Sequence, residues 1–187
     1  HDDPKVYLKI IGDRVNQLDH FISDVLSHSK NLKLEIKNGR VRFEEIVDNV
    51  FRNLNYMEGA NQIQKVVSIA GGEFYSDPWR IEEIFRNLIS NAIKYRRIDN
   101  PAHEISITIF IDESEAVISF RDNGIGISRQ NLSRVFEMFY RANEMSKGSG
   151  LGLYIVKEAL MKLSGSIQLD STPGIGTIIT VKLPHRH

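Results

Sequence analysis

The sequence predicts an α+β protein in which a long helix precedes a region of mixed strands and helices. Apolar residues recur at steps of three and four from residue 8 to residue 32, which is the period of an α-helix. Apolar and polar residues alternate over residues 103–120 and again over residues 176–183, which is the period of β-strands. Between these regions, Asp77-Pro78 combines a helix-capping residue with a proline suited to a first helical turn.

The composition excludes several classes of protein. The chain has 187 residues, 41% of them hydrophobic, and 24 basic side chains balance 24 acidic ones. This size suits one well-buried domain, or a small domain with a helical extension. The lack of excess positive charge argues against general binding to nucleic acid or membrane surfaces. The sequence has no cysteine, which excludes disulfides, and no apolar run approaches the ~20 residues that cross a bilayer.

The first predicted helix runs from residue 4 to about residue 34, with Asp3 as a candidate cap. Its length and the regularity of its apolar seam favour an oligomeric bundle over a helix that packs only on its own chain. Asn38-Gly39 interrupts the pattern, so we place a domain boundary there, between residues 1–36 and 37–187. The seam consists of Leu8, Ile11, Val15, Leu18, Ile22, Val25, Ser29 and Leu32.

The same patterns predict the shorter elements. Further helices are expected at 44–57, 128–136 and 154–163, the last ended by Gly165 as a C-cap. Further strands are expected at 41–43, 63–69, 166–170 and 176–183.

The helix that begins at Asp77-Pro78 has a polar stripe beside its apolar side. Asn87, Asn91 and Lys94 follow one another at steps of four and three, so they share one face. Asparagine is a poor helix former, and two of them one turn apart invite an explanation. They either form a solvated stripe or bring amide oxygens, with a lysine, to a hard cation and phosphates. The stripe alone leaves both explanations open.

Two glycine-rich segments follow that helix. Asp122-Asn123-Gly124-Ile125-Gly126-Ile127 comes at a strand end, where a fixed aspartate beside glycines suits a flat ligand with an exocyclic amine. Gly148-Ser149-Gly150-Leu151-Gly152-Leu153 precedes an apolar helix, whose first-turn N–H groups form an anion site. The glycines would let phosphates approach that backbone closely. Residues 142–147, just before, form a polar loop with little to bury, and we expect it to move.

The second glycine segment differs from two common phosphate loops. A Walker A loop has a lysine after its glycines, whereas Lys147 precedes them here. A Rossmann fingerprint follows directly on a strand, whereas a polar loop leads into this segment.

Taken in order, these motifs resemble those of the catalytic ATP-binding domain of sensor histidine kinases, in the GHKL ATPase superfamily. Residues 1–36 resemble the second helix of the family's dimerisation and histidine-phosphotransfer hairpin. The resemblance implies the Bergerat ATP-binding fold, a two-layer α/β sandwich with a mixed, mostly antiparallel sheet, plus an N-terminal bundle helix. The matching segments are the N box from Asn87 to Tyr95, the G1 box from Asp122 to Ile127, the F box Phe136-Glu137-Met138-Phe139-Tyr140-Arg141, the G2 box from Gly148 to Leu153, and Gly174-Ile175-Gly176-Thr177.

The resemblance implies roles for individual residues. Asp122 would accept a hydrogen bond from the adenine amino group, and Tyr95 would lie against the ring. Asn91 and Asn87 would hold Mg²⁺ bridged to the phosphates, and residues 142–147 would form an ATP lid. The candidate catalytic residues are Asn87, Lys94 and Arg141. The candidate nucleotide-binding residues are Asn87, Asn91, Lys94, Tyr95, Asp122, Gly124, Gly126, Ile127, Tyr140, Arg141, Gly148, Ser149, Gly150, Leu151, Gly152, Leu153 and Thr177.

The implied reaction is transfer of the γ-phosphoryl group of ATP to a histidine, for relay to an aspartate of a response-regulator receiver domain. The implied assembly is a homodimer through the N-terminal helix, without nucleic acid or membrane contact by this part. The implied location is cytoplasmic, in a protein that can be membrane-anchored. His1-Asp2-Asp3-Pro4 departs from the family's acceptor pattern, which has a proline five positions after the histidine. We therefore expect this chain to lack the first hairpin helix and the acceptor, and not to phosphorylate itself.

Three rival classes share some of these motifs. Gyrase-like or chaperone-like ATPase clamps usually have a catalytic glutamate where Asn87 stands. An anti-sigma-type serine kinase would lack the N-terminal helix. A non-catalytic nucleotide sensor is disfavoured by the intact Asn91, Asp122 and glycine segments.

Overall fold

A computed structural model describes residues 4–141 and 148–186 of the chain. His1, the candidate cap Asp3 and the expected lid at residues 142–147 lie outside these residues. The elements are, in order, α1 (Pro4–Lys33), β1 (Gly39–Val41), α2 (Phe43–Asn53), β2 (Gln64–Gly71), β3 (Phe74–Ser76), α3 (Pro78–Lys94), β4 (Glu104–Ile111), β5 (Glu115–Asp122), α4 (Arg129–Leu132), α5 (Gly152–Lys162), β6 (Ser166–Thr172) and β7 (Gly176–Pro184).

A five-stranded sheet forms one layer of the protein. Its strands lie in the order β2-β4-β5-β7-β6, with β2 parallel to β4 and the other neighbours antiparallel. The alternation along β4 explains which face is covered, since Ile109 and Ile111 are buried while Phe110 between them is 54% exposed. The predicted mixed, mostly antiparallel sheet is confirmed.

Helices cover the buried face of this sheet and form the second layer. Ile81 and Ile84 of α3 are buried, and the ring of Phe85 meets Phe120 of β5 edge-on, with centroids 4.8 Å apart. At the start of α3 the Asp77 side chain accepts the backbone N–H of Arg80 at 3.1 Å, as the predicted cap requires. The predicted two-layer α+β architecture is therefore confirmed.

Helix α1 extends from this sandwich and leaves its apolar seam open. The apolar residues of the seam range from 69% exposed at Leu8 to 41% exposed at Val25. The last turn of α1 is held by Arg80, whose guanidinium donates to the carbonyl oxygens of Asn31 at 3.1 Å and Leu34 at 2.7 Å. Within residues 4–141 and 148–186, no helix has the length and apolar character needed to cross a membrane.

The predictions around residues 41–57 are wrong in their boundaries. Strand β1 ends at Val41 and pairs with β3, a strand that the sequence analysis missed because three residues are too few to show alternation. Phe43 belongs to α2 instead, and its ring packs 5.6 Å from that of Phe74 in the core. Helix α2 ends at Asn53, before a stretch of turns.

Two predicted helix ends are also wrong. The helix expected at 128–136 contains only Arg129–Leu132. After α5, Ser164 rather than Gly165 takes the left-handed conformation, with φ 58°, and the Gly165 N–H donates to the Leu160 carbonyl at 2.8 Å. Gly165 is required for a different reason, because a Cβ there would lie 2.6 Å from the carbonyl oxygen of Lys182.

Candidate functional site

A cleft of about 190 Å³ opens beside α3, the segment after β5 and the glycine segment before α5. Since three separate parts of the chain meet there, the fold brings together most residues that the sequence analysis singled out. Those lining the cleft are Asn87, Asn91, Lys94, Tyr95, Asp122, Gly126, Ile127, Tyr140, Arg141, Gly148, Ser149, Gly150, Gly152, Leu153 and Thr177.

Two candidates lie behind the wall of the cleft. The buried Gly124 donates its N–H to Oδ1 of Asp122 at 2.8 Å, and a Cβ there would meet the carbonyl oxygen of Tyr95 at 2.5 Å. The side chain of Leu151 is 1% exposed. Gly124 therefore orients Asp122, and Leu151 anchors the glycine segment through its side chain.

The two asparagines of α3 face the start of α5. The Asn87 side chain is buried and donates from Nδ2 to the Glu83 carbonyl at 2.8 Å, which turns its Oδ1 away from its own helix. A Cβ at Gly152 would lie 3.2 Å from Asn87 Oδ1 and 3.6 Å from Asn91 Oδ1. The Nδ2 atom of Asn91 lies at the same 3.6 Å, so both side-chain amides face this spot of the cleft wall. The two asparagines therefore do not form a solvated stripe.

The two amides fit a magnesium ion that is also bound by phosphate and water better than a metal bound by protein side chains alone. Mg²⁺ takes a few protein oxygens together with phosphate oxygens and water. Among the residues that the structure describes, no cluster of three or more carboxylate or histidine side chains could hold a metal by itself. Asn87 and Asn91 each bring an amide oxygen close to Gly152 of the glycine segment.

Lys94 supplies positive charge next to the same segment. A Cβ at Gly148 would lie 3.8 Å from Lys94 Nζ. Partial burial in the cleft lowers the pKa of Lys94, and attraction to Asp24 opposes that shift. The side chain still opens to solvent, which limits the effect of burial.

Asp122 ends β5 opposite Thr177, the second residue of β7. Burial raises the pKa of the Asp122 carboxyl, and the hydrogen bond from the Gly124 N–H opposes that shift. The segment after Asp122 is tied to the end of α3, since the Ile125 N–H donates to the Tyr95 carbonyl at 2.9 Å. The end of a buried strand therefore fixes the carboxylate in place.

Ser171, which the sequence analysis missed, supports this part of the cleft. Its hydroxyl oxygen accepts the Ile127 N–H at 2.8 Å and lies 3.0 Å from the hydroxyl oxygen of Thr177. A serine in a strand has no local signal that would mark this role.

The glycines before α5 are needed for different reasons. Gly150 has φ 74°, and a Cβ there would lie 2.7 Å from the carbonyl carbon of Phe139, so the contact with the F box requires glycine. Gly152 faces the amides of α3, as described above. Of the three glycines in this segment, only Gly148 could carry a Cβ at an ordinary van der Waals distance from its neighbours.

The structure also places side chains in the cleft that the sequence analysis missed. Asp24 of α1 accepts a hydrogen bond from the Ser149 hydroxyl at 2.5 Å, and its other oxygen lies 3.9 Å from Arg86. Leu54 and Met57 add apolar surface. The Asp24–Ser149 contact joins residues 125 positions apart, so no local pattern could reveal it.

Comparisons with known proteins agree with this fold and cleft. The family model described as histidine kinase-, DNA gyrase B-, and HSP90-like ATPase matches residues 76–187. The methanogenesis regulatory histidine kinase FilI of Methanothrix harundinacea (strain 6Ac) is 33% identical over 185 residues, which cover 98% of this chain and 20% of that protein. Sensor protein SrrB of Staphylococcus aureus (strain NCTC 8325 / PS 47) is 28% identical over 200 residues, covering 98% of this chain and 32% of that protein.

Solved structures agree as well. The mycobacterial sensor histidine kinase MprB has a TM-score of 0.67 and 26% identity, covering 81% of this chain and 99% of that chain. The present chain spans between a fifth and a third of the two curated relatives above. These similarities confirm the resemblance to the ATP-binding domain of sensor histidine kinases. The chain belongs to the histidine kinase-, DNA gyrase B- and HSP90-like ATPase family.

Proposed function

We propose that this chain is the catalytic ATP-binding part of a sensor histidine kinase, which transfers the γ-phosphoryl group of ATP to a histidine of a phosphotransfer hairpin. The observation that supports this most is that the side-chain amides of Asn87 and Asn91 face the glycine segment, in a cleft that also contains Lys94 and Asp122. Such a cleft offers acceptors for a base, ligands for a bridging cation and charge for phosphates.

Asp122 and Tyr95 would recognise the base. The Asp122 carboxylate would accept the adenine amino group, a charge-assisted hydrogen bond that contributes ~1.5–3 kcal/mol. Tyr95, which caps α3 at the cleft, would lie against the ring.

Asn91 and Asn87 would hold Mg²⁺, with Lys94 and Arg141 beside them in the cleft. When bound, the metal would neutralise charge on the bridged phosphates. Phosphoryl transfer depends chiefly on positioning and charge neutralisation, which these polar and basic side chains would supply.

Hydrolysis of the clamp type is less well supported. An ATPase of that type needs a carboxylate base to activate water, and Asn87 stands where such enzymes usually have glutamate. Among the described lining residues two are carboxylates. Asp122 is proposed to bind adenine, and Asp24 is hydrogen-bonded to Ser149.

The proposal extends to the rest of the chain. Residues 1–36 would form the second helix of the phosphotransfer hairpin and 37–187 the catalytic domain. The exposed seam of α1 would form a homodimer, and a receiver domain would accept the phosphoryl group. We place this activity in the cytoplasm.

Magnesium-dependent nucleotide binding tests this function. A non-hydrolysable ATP analogue is titrated calorimetrically into the wild type and Asn91→Ala, with and without Mg²⁺. We expect Mg²⁺ to tighten binding to the wild type and to have little effect in Asn91→Ala, because one metal ligand is missing. Asn49→Ala, the same change on the exposed face of α2, serves as the control. Equal affinities with and without Mg²⁺ in both proteins would contradict the metal assignment.

Phosphotransfer is tested separately. The chain is incubated with γ-labelled ATP and a supplied acceptor hairpin from a sensor histidine kinase. We expect label in an acid-labile linkage on the hairpin's histidine. Release of free phosphate without labelling of the hairpin would favour an ATPase clamp instead.

A further inference from the structure

Asp24 is a carboxylate from α1 that reaches into the cleft assigned above to the nucleotide. Its side chain is 14% exposed and lines the cleft together with Lys94 and Ser149. It accepts the Ser149 hydroxyl at 2.5 Å and lies 3.9 Å from the guanidinium of Arg86. The Asp24 carboxylate therefore contacts a hydroxyl donor and a positive charge in a site that would bind the phosphates of a nucleotide.

The neighbours of Asp24 on α1 hold it there. One turn before it, the Phe21 ring stacks on Phe139 with centroids 6.4 Å apart. One turn after it, the Ser27 hydroxyl donates to the Glu83 carboxylate. Residues three apart on a helix share a face, so this face of α1 is packed against the cleft. Asp24 is consequently held in place from both sides along its helix.

The charges of the cleft make this contact relevant to phosphates. Lys94 and Arg86 are basic residues of the cleft wall, and both interact electrostatically with Asp24. Phosphate oxygens would need the same charges and the same Ser149 hydroxyl. Like charges a few ångströms apart repel, most strongly where solvent is partly excluded.

We propose that Asp24 is an internal competitor of the nucleotide phosphates: it contacts the groups that would bind these phosphates and must be displaced when ATP binds. This inference rests on the proposed function. Because coupling between two binding events is reciprocal, bound nucleotide would also weaken the hold of the cleft on α1. Asp24 would therefore link the position of α1 to nucleotide occupancy.

A carboxylate in this place could instead be a magnesium ligand. That role predicts the opposite change in nucleotide affinity when the carboxylate is removed. A competing anion lowers nucleotide affinity, so its removal tightens binding. A metal ligand raises the affinity for the magnesium complex, so its removal weakens binding.

The test measures the affinity of Asp24→Asn for a non-hydrolysable ATP analogue, ADP and adenosine, each with and without Mg²⁺. Asparagine keeps an oxygen for Ser149 and removes only the charge. We expect about tenfold tighter binding of the ATP analogue, the order of effect of one nearby unit charge, a smaller gain for ADP and none for adenosine. Asp24→Ala, which also removes the hydrogen bond, should tighten binding at least as much. Asp19→Asn, the same change at an exposed site of α1, should leave all affinities unchanged.

Unchanged or weaker binding of the ATP analogue by both Asp24 variants would overturn the proposal, and weakening only with Mg²⁺ would assign Asp24 to the metal. Equal tightening in Asp19→Asn would also overturn it, because the effect would then be long-range. These results leave the proposed function intact if the wild type binds the ATP analogue. If the wild type binds neither nucleotide, the proposed function itself fails and the competitor role fails with it.

Discussion

Asp122 combines a partly buried carboxylate with the proposed recognition of adenine. Its pKa is raised by burial, while the Gly124 N–H favours the ionised form. A raised pKa means that the folded state binds a proton more readily than the unfolded state. The contribution of Asp122 to stability is therefore favourable at low pH and falls as the pH rises through this pKa. Function and stability thus make opposite demands on this side chain.

We predict that Asp122→Asn loses nucleotide affinity without losing stability at neutral pH. Asparagine can still accept the Gly124 N–H, and it removes the cost of burying a charge. We expect ATP-analogue binding at least ~10-fold weaker, because an Asn amide replaces a charge-assisted acceptor. Calorimetric titration and thermal unfolding measure the two quantities. Asp170→Asn, an exposed aspartate on β6, should change neither; wild-type affinity in Asp122→Asn would refute the adenine assignment.

The same residue predicts a pH dependence. As the pH falls through the raised pKa of Asp122, the carboxylate gains a proton and becomes a poorer acceptor. Wild-type affinity for the ATP analogue should therefore decrease as the pH falls through this pKa, whereas Asp122→Asn should show a flatter profile over the same range. Parallel profiles in the two proteins would show that another group governs the acid limb.

The glycine segment before α5 is constrained by its contacts with the rest of the protein. At Gly150 the left-handed backbone and the Phe139 carbonyl group leave no room for a Cβ, whereas Gly148 has that room. We predict that Gly150→Ala lowers the unfolding temperature and that Gly148→Ala does not, since strain of this kind costs on the order of 1–3 kcal/mol. Differential scanning calorimetry of the two variants makes the comparison within one segment. Equal unfolding temperatures would mean that the segment adjusts freely.

Arg80 joins the start of α3 to the end of α1 and forms a buried ion pair within α3. Arg80 is 1% exposed, pairs with Asp77 at 2.5 Å and donates to Asn31 and Leu34 at the end of α1. Its charge-bearing group thus binds the carbonyl oxygens where the helix dipole is negative. The start of one helix therefore fixes the end of another.

We predict that Asp77→Ala lowers the free energy of unfolding by ~3–5 kcal/mol, because it removes a cap and leaves the Arg80 charge buried without its partner. Urea denaturation gives this value. Glu45→Ala, which breaks the exposed pair with Arg42, should leave the midpoint nearly unchanged. A small effect at Asp77 would indicate that the helix carbonyls alone compensate Arg80.

The α/β sandwich and helix α1 differ in how much apolar surface they expose to solvent. The core buries its apolar side chains, while α1 leaves Leu18 57% and Ile11 58% exposed. A regular apolar seam of this length suits a partner helix. The face of α1 that meets the cleft is separate from this seam, so one helix can serve both contacts.

We predict that the chain self-associates through α1. Leu18→Glu should shift the protein to monomer at concentrations where the wild type is dimeric, because a charge in the seam is not buried without cost. Asn16→Glu places the same charge on an exposed polar position and should leave association unchanged. Sedimentation velocity across a concentration series measures both, with circular dichroism as a check on the fold. A wild type that stays monomeric at the highest concentration would contradict the prediction.

Local patterns determined most of the elements and the identity of the motifs. The alternating isoleucines of β4, the Asp77-Pro78 start of α3 and the seam of α1 each depend on a period or a cap that lies within one segment. The asparagine stripe and the two glycine segments were visible for the same reason. Failures came where the signal is shorter than a period, as in β1 and β3, or where turns replace a helix after Leu132.

Tertiary structure decided what these motifs face. The direction of the Asn87 oxygen follows from its bond to Glu83 and from the approach of Gly152, and the need for glycine at position 150 follows from Phe139. Asp24 enters the cleft only because α1 packs on it, across 125 residues of sequence. Contacts between distant segments depend on packing that no local period records, and so the sequence alone indicated a phosphate site while the fold placed a competing carboxylate inside it.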